Sequence, residues 1–283
     1  MAERSLKFVF VPLSALFALL LYVSPSQSQF LHQSQPQSQP PAGLSVADSL
    51  LQNFYVRSCC AATINDCMRS RPQCAAAPRL AAFVRWMDST EAPAERMPQL
   101  LQARYNSFAE SRKHNLNTIG WPVIGDPNSP MTVVMYFSST CPACKTNFRE
   151  ILPMVTDGHL KGKAKIVVKP FGNNFGNRAI VAAYDMGRFT DFMLALAQAG
   201  VRVDEELIYD IADGMLFDRD VFRQRVESDD VAGRVEESST EASGTGATHV
   251  PTYFIEGRRY DSVLFARWVA DAIEFVHDAE FKK

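Results

Sequence analysis

Six cysteines are placed unevenly along the 283-residue chain: Cys59, Cys60, Cys67 and Cys74 lie together, and Cys141 and Cys144 stand apart from them. The second group is a Cys141-Pro142-Ala143-Cys144 run directly after an apolar stretch. That placement predicts a strand-to-helix junction with Cys141 at the helix N-terminus. Unpaired backbone N–H groups and the positive end of the helix dipole stabilise a thiolate there, and the thiolate is the form that attacks a disulfide. Cys144 falls one turn later, close enough to close a ring onto Cys141. Pro142 occupies the first turn, where its missing N–H costs nothing. A bridge closing so short a loop restricts the unfolded chain little, so its expected use is to open and close. The alternatives are a purely structural disulfide and half of a zinc site. Zinc asks for two further ligands with their own spacing, and the other cysteines supply no second Cys-X-X-Cys.

The elements that must hold this pair can be read from patterning. Gly125-Asp126-Pro127-Asn128 reads as a turn into a strand over Met131 to Phe137, whose continuous apolar run suits burial on both faces. Phe148, Ile151, Leu152 and Val155 mark the helix after the cysteines. Lys165 to Phe171 is a second strand, and residues 177–243 carry helical patterns separated by Gly187, Gly200 and Gly214. Pro251 to Ile255, the turn Glu256-Gly257 and Arg258 to Tyr260 form a hairpin, and a last helix uses Leu264, Trp268, Ala272, Ile273 and Val276. Upstream, Leu44 to about Phe108 is helical in pattern, and residues 109–124 are a polar connection. The organisation expected is a helical cysteine-bearing domain over 44–110 and an α/β domain over 120–283.

Composition narrows the setting. Apolar residues are 47% and charged residues 21%, which excludes a disordered, collagenous or multi-span membrane chain. With 29 basic and 31 acidic residues there is no basic excess for nucleic acid. Arg4 and Lys7 precede an apolar run from Phe8 to Val23, broken by Pro12 and Ser14. The run is shorter than the about 20 residues a spanning helix needs and suits a secretory signal, with Ser26 and Ser28 at −3 and −1 of a cut before Gln29. Residues 1–28 are read as that signal peptide or as an uncleaved membrane anchor. Either exports the rest to an oxidising space such as the periplasm, where disulfides persist. Residues 29–43, almost all Ser, Gln and Pro, form a disordered tether.

Residues 125 to about 278 resemble the DsbA-like branch of the thioredoxin superfamily. The resemblance rests on the Gly-Asp-Pro-Asn-Ser-Pro lead-in, the apolar strand, Cys-Pro-Ala-Cys, the helical insert and Val250-Pro251-Thr-Tyr-Phe-Ile-Glu-Gly257. It implies an α/β thioredoxin fold with a helical insertion. It also implies that Pro251 is cis and packs against the disulfide, and that the Val250 backbone pairs with a substrate strand. Substrate contacts are thus expected from Pro142, Ala143, Val250 and Pro251. Two departures stand out. DsbA has a histidine where this chain has Ala143, and the family's buried acid six residues before the first cysteine is Met135 here. Lys145, Lys169 and His249 are candidates for electrostatic help at the site, though the two lysines are expected to be solvated and His249 to lie in an exposed loop.

Cys59, Cys60, Cys67 and Cys74 are expected as structural staples. A bond between the adjacent Cys59 and Cys60 would be strained, which leaves 59–67 with 60–74, or 59–74 with 60–67. Residues seven apart in a straight helix are about 10 Å apart along its axis, beyond bridging distance, so the chain must turn near Pro72. Thr63-Ile64-Asn65-Asp66, Arg79-Leu80, Phe83-Val84-Arg85 and Leu100-Leu101-Gln102-Ala103-Arg104-Tyr105 also resemble the CcmH family, periplasmic three-helix domains that handle apocytochrome c thiols. The family's Cys-X-X-Cys is replaced by Cys59-Cys60, and extra residues separate Asp66 from Leu80.

The resulting expectation is an exported protein disulfide oxidoreductase in which Cys141 attacks and Cys144 resolves. It would exchange disulfides with cysteine-containing exported proteins and with a membrane redox partner, and residues 8–23 could anchor it. No metal or organic cofactor is implied, because a dithiol itself carries two electrons. The alternatives are a thiol reductant in cytochrome c maturation and a non-catalytic thioredoxin-like adaptor.

Overall fold

A computed structural model describes residues 44–109, 112–200, 202–260 and 265–281. The expected signal peptide or anchor (1–28), its apolar run (8–23), the tether (29–43) and Leu264 lie outside the described residues. Among the described residues no helix is long and apolar enough to cross a membrane.

The cysteine-bearing segment opens with α1 (Val46–Asn53), capped by Ser45, whose hydroxyl accepts from the Asp48 N–H at 3.0 Å. Two short strands, β1 (Tyr55–Val56) and β2 (Ala62–Thr63), then pair antiparallel. They interrupt what the apolar spacing reads as helix, because the chain turns back through Cys59 and Cys60 with Ala61 at φ +50°. Thr63 caps α2 (Ile64–Ser70). The chain bends over the Pro72 region into α3 (Ala76–Ser89), which buries Leu80, Phe83, Val84 and Met87, and α4 (Met97–Ala109) buries Leu101.

The second part contains β3 (Val123–Ile124), β4 (Met131–Phe137), α5 (Pro142–Thr156), β5 (Ala164–Pro170), α6 (Phe175–Asp185), α7 (Phe189–Gln198), α8 (Glu205–Gly214), α9 (Arg219–Val226), α10 (Asp229–Gly244), β6 (Thr252–Ile255), β7 (Arg258–Tyr260) and α11 (Ala266–Glu280). The sheet runs β3-β5-β4-β6-β7. β4 and β5 are parallel, with Met135 opposite Val168; every other pair is antiparallel, with Met135 opposite Tyr253. The sequence does not disclose β3, because two residues inside a polar connection are too short to show a period.

Alternation along β4 divides the interior. Met131, Val133, Met135 and Phe137 share a core with Phe148, Ile151 and Val155 of α5 and Ala272, Ile273 and Val276 of α11. Val134 and Tyr136 face a second core with Val181, Val231, Val235 and Phe254. That second side also holds a polar knot. Glu241 accepts from the Lys169 ammonium, the Tyr136 hydroxyl and, at 2.7 Å, the Asn117 N–H. Burial pushes the Glu241 carboxyl up, but these bonds outweigh it and hold the group below the usual carboxylate range.

The helical segment is joined to the first core rather than set beside it. The described residues form one compact unit. Phe83 meets Trp268 of α11 edge-on at 5.1 Å between centroids. Arg104, 1% exposed, donates to the Trp268 carbonyl at 3.0 Å and pairs with Asp271. Arg79 lies 3.1 Å from the other Asp271 oxygen.

Candidate active site

Cys141 is the cap residue of α5. Its backbone is extended (φ −91°, ψ 111°), Pro142 opens the helix, and Sγ accepts from the Cys144 N–H at 3.1 Å. An acceptor at that point satisfies one of the helix's unpaired donors, and a thiolate does so better than a neutral sulfur. Cys141 is half-buried, Pro142 exposed and Ala143 half-buried, whereas Cys144 is fully buried. The two sulfurs are bonded, with Cα atoms 5.3 Å apart. One residue of the bridge is therefore partly exposed and the other is not.

Val250 and Pro251 complete the site from the other side of the fold. The Val250–Pro251 peptide is cis. The Val250 carbonyl oxygen lies 3.5 Å from the Cys141 sulfur, and Pro251 is buried at the start of β6. The Thr252 hydroxyl donates to the His249 carbonyl at 2.6 Å, which tightens the approach to the proline.

Residues the motif does not announce hold the cysteines in place. The Ser139 N–H donates to Asn177 Oδ1 at 2.8 Å, and the Ser139 hydroxyl donates to Asn174 Oδ1 at 2.8 Å. Asn177 Nδ2 donates in turn to the carbonyls of Phe171 and Gly172, at 2.9 and 2.6 Å. Asn177 is fully buried, so it fastens the loop before Cys141 to the chain leaving β5. Gly176 lets the start of α6 come this close, since a Cβ there would meet the Ser139 hydroxyl at 2.6 Å. On the helix itself, the buried Asn147 donates to the Ala143 carbonyl at 2.9 Å and accepts from the Tyr253 hydroxyl at 3.2 Å. Asn174 alone had a readable signal, as an Asn placed to cap a helix.

The electrostatic candidates are corrected by their surroundings. Lys145 is not solvated: it is 4% exposed, its ammonium donates to the Gly200 carbonyl at 2.8 Å, and burial pushes it down from the usual lysine range. Lys169 is also buried, at 1% exposure, and it is committed to Glu241 on the sheet face opposite α5. Both were misread because a charge in a sequence implies water, and the groups that replace water here come from 55 and 72 residues away. His249 is exposed, with Nδ1 3.5 Å from the Thr248 hydroxyl. Met135 is buried in the same core as Cys144, so the place of the family's acid is apolar. The remaining cysteines pair as Cys59–Cys74 and Cys60–Cys67.

The geometry can be set against known proteins. A thioredoxin family model matches residues 117–274, more than half of the chain. No curated protein matches the sequence. Among solved structures, a thioredoxin-like oxidoreductase from Silicibacter pomeroyi DSS-3 is similar at 22% identity and a TM-score of 0.52, over 58% of this chain and 99% of that one. Oxidised BdbD from Bacillus subtilis is similar at 19% identity and a TM-score of 0.52, over 60% of this chain and 99% of that one. These likenesses are of fold. The five helices α6 to α10 between β5 and β6 are the insert expected from the DsbA-like resemblance, while residues 59–110 fall outside the matched span. A parallel β4–β5 pair bridged by α5, a sheet completed by the β6–β7 hairpin and the family match agree: this chain belongs to the thioredoxin family.

Proposed function

We propose that the protein is a thiol–disulfide oxidoreductase that exchanges disulfides with cysteines of other exported proteins through Cys141 and Cys144. In the oxidising direction a substrate thiolate attacks the Cys141 sulfur. The Cys141–Cys144 bond breaks, and its electron pair leaves on Cys144. A second substrate thiolate then attacks the substrate sulfur of the mixed disulfide and releases Cys141 as a thiolate at the helix cap. The substrate leaves oxidised and the site reduced by two electrons; the reverse sequence reduces a substrate. A membrane redox partner would restore the disulfide. An extended substrate strand passing Cys141 would lie beside the Val250 backbone, which supports a pairing role for that residue. The export reading is supported by the composition of residues 1–43.

The observation that carries the proposal is the asymmetry of the pair: a half-buried Cys141 sulfur at the helix cap, bonded to a fully buried Cys144. Oxidation of a two-cysteine peptide tests it. Cys141→Ser should abolish exchange, and Cys144→Ser, presented with the oxidised peptide, should accumulate a mixed disulfide through Cys141. Exchange at the wild-type rate by Cys141→Ser would overturn the proposal.

A further inference from the structure

The four remaining cysteines have more in common than two staples require. The sulfurs of Cys59, Cys60 and Cys74 all lie within 4.8 Å of one another, so the Cys59–Cys74 bond is a close neighbour of the Cys60–Cys67 bond. Their exposure is graded. Cys59 is exposed and Cys60 half-buried, while Cys67 and Cys74 are 0% and 1% exposed. The outer bond thus joins an accessible sulfur to a buried one, the same asymmetry as in Cys141–Cys144.

The buried end is also placed to leave. Cys74 stands directly before Ala75, the cap position of the 14-residue α3. Ala75 provides no side-chain acceptor, and the first turn of α3 carries no acidic residue. A thiolate released at Cys74 therefore meets the positive end of a helix with no competing anion in that turn. Ala61, next to the Cys59-Cys60 pair, is held at φ +50°, a conformation that a non-glycine residue adopts at a cost and that fixes the hairpin displaying Cys59.

We propose that Cys59, Cys60, Cys67 and Cys74 form a second thiol–disulfide exchange centre, entered at Cys59 and internally coupled through Cys74 and Cys60. An external thiolate, from glutathione or a protein dithiol, attacks the Cys59 sulfur. The Cys59–Cys74 bond breaks and Cys74 leaves as a thiolate, with a mixed disulfide left on Cys59. Cys74 then attacks the Cys60 sulfur; the Cys60–Cys67 bond breaks, and Cys67 leaves as a thiolate and takes a proton from water. A second external thiol attacks the external sulfur of the mixed disulfide, producing an external disulfide and a free Cys59. The centre has accepted two electrons and holds a Cys60–Cys74 bond with thiols at Cys59 and Cys67. The second pairing that the spacing allows, 59–67 with 60–74, contains this same Cys60–Cys74 bond. The substrate class is thiols in general, and the reaction uses neither Cys141 nor Cys144.

The experiment uses the full chain carrying Cys141→Ser and Cys144→Ser, which separates this proposal from the function assigned to that site. The protein is equilibrated across a series of reduced-to-oxidised glutathione ratios, its helical circular dichroism is recorded at each, and each sample is then quenched in acid, unfolded, alkylated, digested and mapped. The expected result is a gain of two alkylated thiols per chain, at Cys59 and Cys67, with a new Cys60–Cys74 linkage and an unchanged helical signal. Three results would overturn it. One is no labelling until the helical signal is lost, which would make the bonds staples. Another is labelling at Cys59 and Cys74 with Cys60–Cys67 intact, which would remove the internal coupling. The last is about one zinc ion held per chain after purification, which would reassign the sulfurs to a metal site.

Discussion

Cys141 and Cys144 are three residues apart and differ in every respect that governs thiol chemistry. The first is half-buried at the cap of α5, accepting a backbone N–H; the second is fully buried against apolar groups that include Met135. In the reduced protein Cys141 should therefore be the residue alkylated near neutral pH, with a pKa below the free value of about 8.5. The rate of iodoacetamide labelling against pH, with peptide mapping, measures this; preferential labelling of Cys144 would reverse the roles assigned to the two. The same contrast bears on redox poise. Ala143 removes a polar neighbour that would favour the Cys141 thiolate, while the helix terminus continues to favour it. The reduction potential should fall between those of DsbA and thioredoxin, about −120 and −270 mV. Loss of one charge-assisted contact, about 2–3 kcal/mol, corresponds to a shift of roughly 50 mV for a two-electron couple. That puts the value in the oxidising half of the interval, and equilibration with glutathione measures it. A potential at or below thioredoxin's would redirect the reading to a reductant. At this scale the pairing of Cys141 with Cys144 was legible from spacing and residue type, and the cis bond at Pro251 through the DsbA-like resemblance. The burial of Lys145 and Lys169 was not, because it depends on partners brought in by the tertiary fold.

The strands and helices are placed by short polar bonds as much as by the cores. Asn177 ties the Ser139 N–H to the carbonyls of Phe171 and Gly172, so β4, α6 and the chain leaving β5 meet at one amide. Asn177→Ala leaves those groups buried without that partner. The cost should be about 1–3 kcal/mol of stability, together with slower peptide oxidation, since the loop that sets Cys141 at its cap is released. Thermal unfolding and the exchange rate measure the two effects; a slower rate at unchanged stability would indicate a more direct part in the chemistry. The β4-α5-β5 order, the helical insert and the β6–β7 hairpin were legible from apolar runs and turn residues. The β1–β2 pair and β3 were not, because each strand has only two residues and is fixed by its partner rather than by its own pattern. Asn177 was invisible for a related reason: its partners lie as far as 38 residues away.

Taken whole, the described residues are one compact unit, and the helical segment and the sheet share a core around α11. The joint is Arg104, whose partner Asp271 is raised above the usual carboxylate range by burial despite the adjacent Arg104 and Arg79. Arg104→Met leaves that carboxylate without its closest cation and should cost about 3–5 kcal/mol. Pairing it with Asp271→Leu should restore most of the loss. Denaturant unfolding followed by tryptophan fluorescence reports the joint, since Trp86 and Trp268 meet edge-on there. A single transition that moves as one is expected, and two separated transitions would show that the segments fold independently. The change of pattern after Phe108 led the sequence reading to expect two domains; the welding of the two segments was not legible, because Arg104 and Asp271 are 167 residues apart. The sheet's margins carry a further consequence. β3 offers two residues and β7 three, and the β7 arginines are engaged, Arg258 with Glu280 and Arg259 with the carbonyls of Thr245 and Gly246. Long, bare margins recruit stray strands into aggregates. Margins this short and this occupied give a stray strand little to template on, so pairing through either edge of the sheet is disfavoured.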